Sequence, residues 1–204
     1  MSEAATLDTR TTAERILDAA EDLFAEKGYA ATSLGEVADA VGIRSPSLYN
    51  HFRNKEALYG AVLERLLAAF SAPLAELDTG ELTRQRIFDW LETIVRMHHE
   101  RPNLARLLQH AALSGGPQTN QLIERLFSPM FDVNRPTEVI SVLGGKELQP
   151  WAVMALNNMV MSYVTMAPMY RDLLGEDPFS PEALDKQLNL ILKLAHLALE
   201  SEAD

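Results

Sequence analysis

A basic window that lacks acidic residues is the part of the sequence best suited to bind a polyanion. From Ala40 through Lys55 the chain has no Asp or Glu, while Arg44, His51 and Arg53 fall inside. Basic side chains neutralise phosphates and release their counterions, so the window predicts a docking surface for a phosphate backbone. The whole chain carries a net charge of −11, and this excess of acid would limit nucleic-acid binding elsewhere by long-range repulsion.

Signatures of catalysis and of metal binding are missing from the sequence. The chain has no cysteine, which excludes disulfides and thiolate ligands. His98 and His99 are adjacent, so on a helix their side chains diverge by about 100° and cannot chelate one ion together. No nucleophile motif, glycine-rich phosphate loop or pair of catalytic carboxylates is present. We therefore expect no enzyme activity, no metal and no cofactor.

Three short helices are predicted around the basic window. The first lies between a capping box at 11–14 and a left-handed C-cap at Gly28. The second lies between a capping box at 33–36 and Gly42. The third is shorter, from Pro46 to His51, and Ser45-Pro46 supplies its N-cap and first helical residue. Three such helices, with glycine in the second turn, match helix-turn-helix geometry, which presents the outer face of the third helix to a major groove.

The rest of the chain is also predicted to be helical, without strand alternation. A connecting helix carries apolar residues from Leu58 to Phe70 and is closed by Pro73. Proline and glycine then separate further helices at about 81–100, 102–113, 118–127, 148–171 and 181–200.

The fold class is therefore all-α, with a small N-terminal domain and a larger C-terminal one. We expect a disordered arm over 1–10 and a three-helix, helix-turn-helix DNA-binding domain over 11–55. A larger helical domain over 56–204 would bind an effector and dimerise, and residues 56–72 would be its connecting helix. The composition, 47% hydrophobic, suffices for a sizeable core.

An uncharged run between Glu147 and Arg171 is long enough to span a membrane. Polar residues and prolines interrupt it, and they are costly in hydrocarbon. The N-terminus lacks the apolar core of a signal peptide. We therefore predict a buried protein helix in this run, a cytoplasmic protein and no membrane partner.

A contiguous motif in the N-terminal domain resembles the TetR family of transcriptional regulators. It reads LYNHFRNKEAL at 48–58 and follows TSLGEVADAVGI at 32–43, with ILDAAEDLFAEKGY upstream at 16–29. The resemblance covers roughly 60 of the 204 residues, and the C-terminal part is similar only in being helical and of the expected length. It implies a homodimeric, helix-turn-helix transcription factor that binds double-stranded operator DNA.

The resemblance also implies roles for single residues. Contacts to phosphates are implied for Tyr49, His51, Lys55 and for either Thr32 or Ser33. Base edges would be read by Arg44, Ser45, Pro46, Ser47 and Asn50. Pro46-Ser47 departs from the glycine or other small residue that many relatives carry there, and Pro46 can contribute only steric or apolar contacts.

Each of these roles has a simpler alternative. Ser45-Pro46 could serve only to start the third helix. Tyr49 could pack as a half-buried core aromatic. Lys55 could be a solvated surface lysine, although a helix N-terminus favours anions beside it.

A mainly apolar effector pocket is expected in the C-terminal domain, between residues 88–110 and 151–166. Its large or adaptable apolar groups and sparse polar groups are typical of a ligand pocket. The candidates are Trp90, Met97, His98, His110, Trp151, Met154, Asn158 and Met161. Simple core filling by the methionines, and partners for Asn158 from a dimer mate, are the alternatives.

Helices 148–171 and 181–200 are too apolar for one domain to cover, which predicts a homodimer with a four-helix bundle between the copies. The function expected from all these features is a repressor that a small apolar effector releases from a palindromic operator. The alternative is a DNA-binding regulator without a small-molecule ligand, controlled by a protein partner or by its abundance.

Overall fold

The computed structural model describes residues 9–78, 83–114, 120, 122–128 and 145–200, and the regular elements within these ranges are helices. The all-α fold class is therefore confirmed for the described chain. The N-terminal helices are α1 (Thr12–Ala31), α2 (Leu34–Val41), α3 (Ser45–Tyr49) and α4 (Lys55–Asp78). Further along the chain are α5 (Arg84–Glu100), α6 (Asn103–Ser114), a π-helical turn (Ile123–Phe127), α7 (Gly145–Thr165), α8 (Ala167–Leu174) and α9 (Pro181–Glu200).

The chain divides into two compact units, Met1–Glu64 and Arg65–Asp204. The boundary between them falls inside α4, within the connecting helix predicted at 56–72. In the first unit α2 packs against both α1 and α3. The Arg15 guanidinium donates a 2.7 Å hydrogen bond to the carbonyl oxygen of Val41, which joins α1 to the end of α2.

Both predicted capping boxes are present. The Thr11 hydroxyl accepts from the backbone N–H of Glu14, and the Glu14 carboxylate accepts from the backbone N–H of Thr11. Ser33 and Glu36 repeat this exchange at the start of α2. Each box satisfies two backbone donors that a helix start would otherwise leave unpaired, so local sequence sets where both helices begin.

Of the two glycines predicted as left-handed C-caps, Gly42 has that role, whereas the prediction for Gly28 is wrong because α1 continues past it. Gly42 has φ +73° and ψ +31°, and its N–H donates to the carbonyls of Ala38 and Asp39 as a left-handed C-cap. Gly28 has φ +77° but ψ +171°, a combination that is essentially restricted to glycine. The helical hydrogen bonds resume after Gly28, so α1 ends only at Ala31.

Two proline positions differ from expectation. α3 begins at Ser45 with Arg44 as its N-cap, so Pro46 is the second helical residue and Ser45 is not the cap. The N–H groups of the first helical residues have no partner within the helix. Proline, which lacks an N–H, therefore fits at the first or the second position. Pro73 does not close α4, which continues to Asp78. Pro73 is buried inside this helix, although proline removes one helical hydrogen bond.

In the second unit, α5 packs against α6, α7 and α9, and α7 also packs against α6 and α8. The helix predicted at 148–171 is broken at Met166, whose φ of −98° and ψ of 7° are not helical. The cause is Pro168, which has no N–H for the carbonyl four residues earlier and would clash with that carbonyl in a continuous helix.

The remaining helix predictions agree with the structure to within a few residues. α5, α6 and α9 match the segments predicted at 81–100, 102–113 and 181–200. The start of the segment predicted at 118–127, and most of the arm predicted at 1–10, lie outside the described residues. Within the described ranges, the helices are too short or too polar to cross a membrane.

Candidate nucleic-acid interface

One buried leucine fixes which face of α3 points outward. Leu48 is fully buried, while the other residues from Arg44 to His51, in α3 and at its two ends, are exposed. Tyr49 in particular exposes 54% of its surface, so it is not a half-buried core aromatic. The exposed set contains seven of the ten residues predicted to contact DNA: Arg44, Ser45, Pro46, Ser47, Tyr49, Asn50 and His51.

Lys55 is held in place at the first residue of α4. Its ammonium donates a 3.2 Å hydrogen bond to the carbonyl oxygen of Ala30 and lies 4.5 Å from the centre of the Tyr29 ring. The Asn54 side chain accepts from the N–H of Ala57 and caps the same helix start. Lysine has three donors, so the bond to Ala30 leaves two N–H groups for another acceptor. Lys55 is therefore a positioned cation at a helix N-terminus, where anions are favoured.

An aromatic cluster supports this lysine. The rings of Tyr29 and Tyr59 lie 4.9 Å apart between centroids, and Tyr59 also meets Phe24 edge-on at 4.9 Å. Tyr59 is buried, and burial raises the pKa of its hydroxyl. The sequence pattern does not predict that Tyr29 and Ala30 position Lys55. No local signal identifies them, because they lie 25 and 26 positions before the lysine in the chain.

Thr32 does not have the role that the family resemblance implies for its hydroxyl. Only 2% of the residue is exposed. Its hydroxyl lies within hydrogen-bond distance of two carbonyl oxygens, those of Gly28 at 2.9 Å and of Leu23 at 3.2 Å. The non-helical turn at Gly28 leaves carbonyl groups that need a donor, and Thr32 supplies it. The Thr32 side chain therefore stabilises the end of α1 and cannot reach a phosphate.

The start of α2 already holds an anion of its own. The Glu36 carboxylate lies 2.8 Å from the Lys27 ammonium and also accepts from the hydroxyl and N–H of Ser33. The Lys27 contact, followed by those from Ser33, lowers the pKa of Glu36 from 4.5 to about 2. Glu36 in turn raises the pKa of Lys27. Ser33 is exposed but its hydroxyl and N–H are both engaged, so a phosphate at this position would compete with Glu36.

The structure separates the residues expected to line an effector pocket. His98 is buried, whereas Trp90, Met97, His110 and Met161 are half-buried. Trp151, Met154 and Asn158 are exposed in the isolated protomer.

The exposure of these three residues follows from the geometry of α7. Val160 and Val164 face the core, and nine residues of α-helix separate Trp151 from Val160. At about 100° per residue, Trp151 therefore points to the opposite side of α7. The spacing correctly predicted that Trp151, Met154 and Asn158 share a face, but that face is not the inward one.

The adjacent histidines diverge as predicted. His98 packs against the ring of Phe70 of α4, with centroids 5.6 Å apart. His99 stacks on Tyr163 of α7 at 5.5 Å, and its Nε2 lies 2.8 Å from the amide oxygen of Gln187 of α9. Burial lowers the pKa of both imidazoles. The two side chains serve different contacts and do not form a joint metal site.

Comparison with known proteins identifies the N-terminal domain more closely. Residues 16–62 match the profile of bacterial regulatory proteins of the tetR family. The chain is 48% identical to the transcriptional repressor ComR of Escherichia coli over 56 residues, which cover 28% of this chain and 27% of ComR. It is 31% identical to the transcriptional regulator RutR of Escherichia coli over 102 residues, 50% of this chain and 48% of RutR. These matches span a quarter to a half of the curated relatives.

The fold of the whole chain is also similar to solved structures. The Streptomyces coelicolor protein SCO4942 superposes with a TM-score of 0.68, covering 92% of this chain and 98% of that protein. The two sequences are 21% identical, so this likeness concerns the fold. It extends the similarity beyond the N-terminal motif to the helical C-terminal part.

Proposed function

We propose that this chain is a DNA-binding regulator of transcription of the tetR family and not an enzyme, because residues 16–62 match the profile of that family and ComR and RutR are similar to it. More specifically, we propose a homodimeric repressor that leaves a palindromic operator when a small, mainly apolar effector binds. ComR, the similar protein of Escherichia coli, is a transcriptional repressor.

The exposed face of α3 is the observation that carries this proposal. Leu48 anchors the helix and directs the polar side chains of Arg44, Ser47 and Asn50 outward, where they can reach base edges. Tyr49, His51 and Lys55 supply donors for the phosphates that flank a major groove. Arg44, His51, Arg53 and Lys55 lie in the acid-free window, so an acidic chain still offers a cationic surface at this helix.

A homodimer is proposed because α9 is apolar on two sides. One side is buried within the protomer and carries Leu188, Ile191 and Ala195. The other exposes Leu190, Leu194 and Leu197 by 56%, 42% and 62%. Steps of four and three residues align these leucines in one stripe along the helix. A second copy of the chain would cover that stripe and, on α7, the exposed side chains of Trp151 and Met154.

The dimer is tested by adding a charge to the stripe. Leu194→Glu should give a monomeric mass by light scattering at micromolar concentration, because a carboxylate would have to be buried at the contact. Asn189→Glu adds the same charge on α9 about 100° away from the stripe and should remain dimeric. A dimeric Leu194→Glu protein, or a monomeric parent protein, would refute the assignment.

The regulator itself is tested by in vitro selection of DNA bound by the full chain. We expect recovery of a two-fold symmetric sequence whose half-sites lie roughly 34–36 Å apart, or a multiple of that distance. Tyr49→Ala should weaken binding to all recovered sites to a similar extent, since a phosphate contact carries no sequence information. Selection that recovers no preferred sequence would refute the proposed function.

A further inference from the structure

His98 presents a polar atom to the apolar interior of the second unit. Only 3% of the residue is exposed. It lies on one face of α5 with Leu91, Ile94 and Val95, which are all buried. Its Nε2 has no hydrogen-bond partner within the part of the chain that the structure describes. Buried polar side-chain atoms usually have a partner, so this nitrogen requires an explanation.

The hydrogen bond at the other ring nitrogen determines what Nε2 can bind. Nδ1 of His98 lies 2.8 Å from the carbonyl oxygen of Ile94. A carbonyl oxygen only accepts, so Nδ1 carries the proton. Burial lowers the pKa of the imidazole and favours its neutral form. In that form Nε2 is a hydrogen-bond acceptor, and the group that satisfies it must be a donor.

A second buried atom on α5 has the complementary character. The indole Nε1 of Trp90 is a donor, and it too is buried without a partner among the described residues. Eight residues of α-helix separate Trp90 from His98, which corresponds to about 12 Å along the helix axis. α5 thus carries, beside its buried apolar face, one acceptor and one donor that have no partner among the described residues.

We propose that Nε2 of His98 accepts a hydrogen bond from the effector, an uncharged and mainly apolar molecule that carries a hydroxyl or N–H group. The proposal rests on the proposed function, because it names the chemistry of the molecule that would release the operator. A carboxylate would instead face the lone pair of Nε2 and is disfavoured.

The position of His98 also links the site to the DNA-binding residues. The His98 ring packs against Phe70, so a molecule bonded to His98 would lie close to α4. α4 is the helix whose first residue is Lys55, one of the residues proposed to contact phosphate. A ligand that favours one position of this helix would change operator affinity, typically by about 5- to 150-fold for a coupled site.

The experiment uses two probes of equal size that differ in one property. 1-Octanol carries an O–H donor at the end of an apolar chain, and heptyl methyl ether has the same number of heavy atoms but no donor. The binding of each to the full chain is followed by calorimetry and by the ¹⁵N resonances of the histidine rings. We expect octanol to bind about tenfold more tightly than the ether, the value of roughly one buried hydrogen bond. Octanol, but not the ether, should also shift the Nε2 resonance of His98.

Two variants show whether His98 is the acceptor. His98→Phe keeps an aromatic ring against Phe70 but removes the acceptor. This variant should therefore bind octanol and the ether with about equal affinity. His98→Gln keeps an acceptor and should retain part of the preference. The parent protein's ¹⁵N spectrum decides the question without any variant, should a substitution impair folding.

Three outcomes would overturn the proposal: equal affinity for the two probes, binding of neither, or an Nε2 resonance that neither probe moves. Binding of selected operator DNA by the same protein sample separates these failures from a failure of the proposed function. A protein that binds its operator but shows no preference for octanol remains a regulator, with a different effector chemistry. If the protein binds octanol through His98 but selects no DNA, the ligand site is supported and the proposed regulatory function is refuted.

Discussion

Replacing Lys55 by methionine tests the proposed interface most directly. The substitution removes the charge and keeps a long apolar side chain. In the structure the ammonium has one hydrogen bond to Ala30 and rests on the Tyr29 ring, which leaves two donors for a phosphate. We assign one phosphate contact to each Lys55, and therefore two contacts to a symmetric dimer.

The magnitude follows from counterion release. Each phosphate contact contributes about 0.9 to the slope of log affinity against log salt, so the dimer should lose about 1.8. At about 0.1 M salt this change of slope corresponds to a loss of DNA affinity of roughly 8-fold per contact and roughly 60-fold for the dimer. Affinity for the selected operator is measured by fluorescence anisotropy at several concentrations between about 50 and 200 mM salt.

Two further variants control this measurement. Lys186→Met removes the same charge from α9, where the ammonium binds Glu176 at 2.8 Å, and should leave the slope unchanged. Lys55→Arg keeps the charge and should keep most of the slope. Loss of the contact with the Tyr29 ring costs about 0.5–1 kcal/mol of stability, so thermal unfolding must show that Lys55→Met is folded at the assay temperature. An unchanged slope for Lys55→Met, or an equal change for Lys186→Met, would refute the phosphate contact.

Three other predictions concern the first unit. Because the folded pKa of Glu36 is about 2 and its ordinary value is 4.5, its contribution to stability is complete above pH 4.5 and is lost as the pH falls towards 2. Glu36→Gln should therefore flatten the pH dependence of the unfolding free energy in that range, measured by denaturant titration. Gly42→Ala should lower the unfolding free energy by roughly 1–2 kcal/mol because φ is +73°, while Gly60→Ala inside α4 should raise it by up to about 1 kcal/mol. The opposite ranking of these two alanine variants would contradict the assigned cap. Arg44→Ala and Ser47→Ala should relax base preference at particular operator positions by roughly 1–3 kcal/mol, measured by repeating the DNA selection, and a uniform loss at all sites would place these side chains on phosphates.

The helices of the first unit could be predicted closely because their signals are local. A capping box joins residues three positions apart, and the left-handed cap at Gly42 concerns a single backbone angle. The apolar position of Leu48 likewise implies which side of α3 faces the core. These features need no knowledge of distant segments, which explains why the outer face of α3 could be predicted from the sequence.

Helix ends near proline were predicted less well, because the outcome depends on packing. Pro73 lies inside α4, whereas Pro168 coincides with a break after α7. The local cost of proline in a helix is the same at both positions. What differs is the surrounding structure, and burial of Pro73 is a property of the folded chain.

The sequence by itself determined the helical fold class, the small N-terminal domain and the outward set of residues on α3. The tertiary structure decided that Thr32 points inward, that Lys55 rests on Tyr29, and that the face of α7 bearing Trp151 points away from the core. Helical periodicity specifies which residues share a face, but only the neighbouring helices specify what that face meets. In the same way, a hydroxyl or an ammonium acquires its partner from a segment that folding brings beside it.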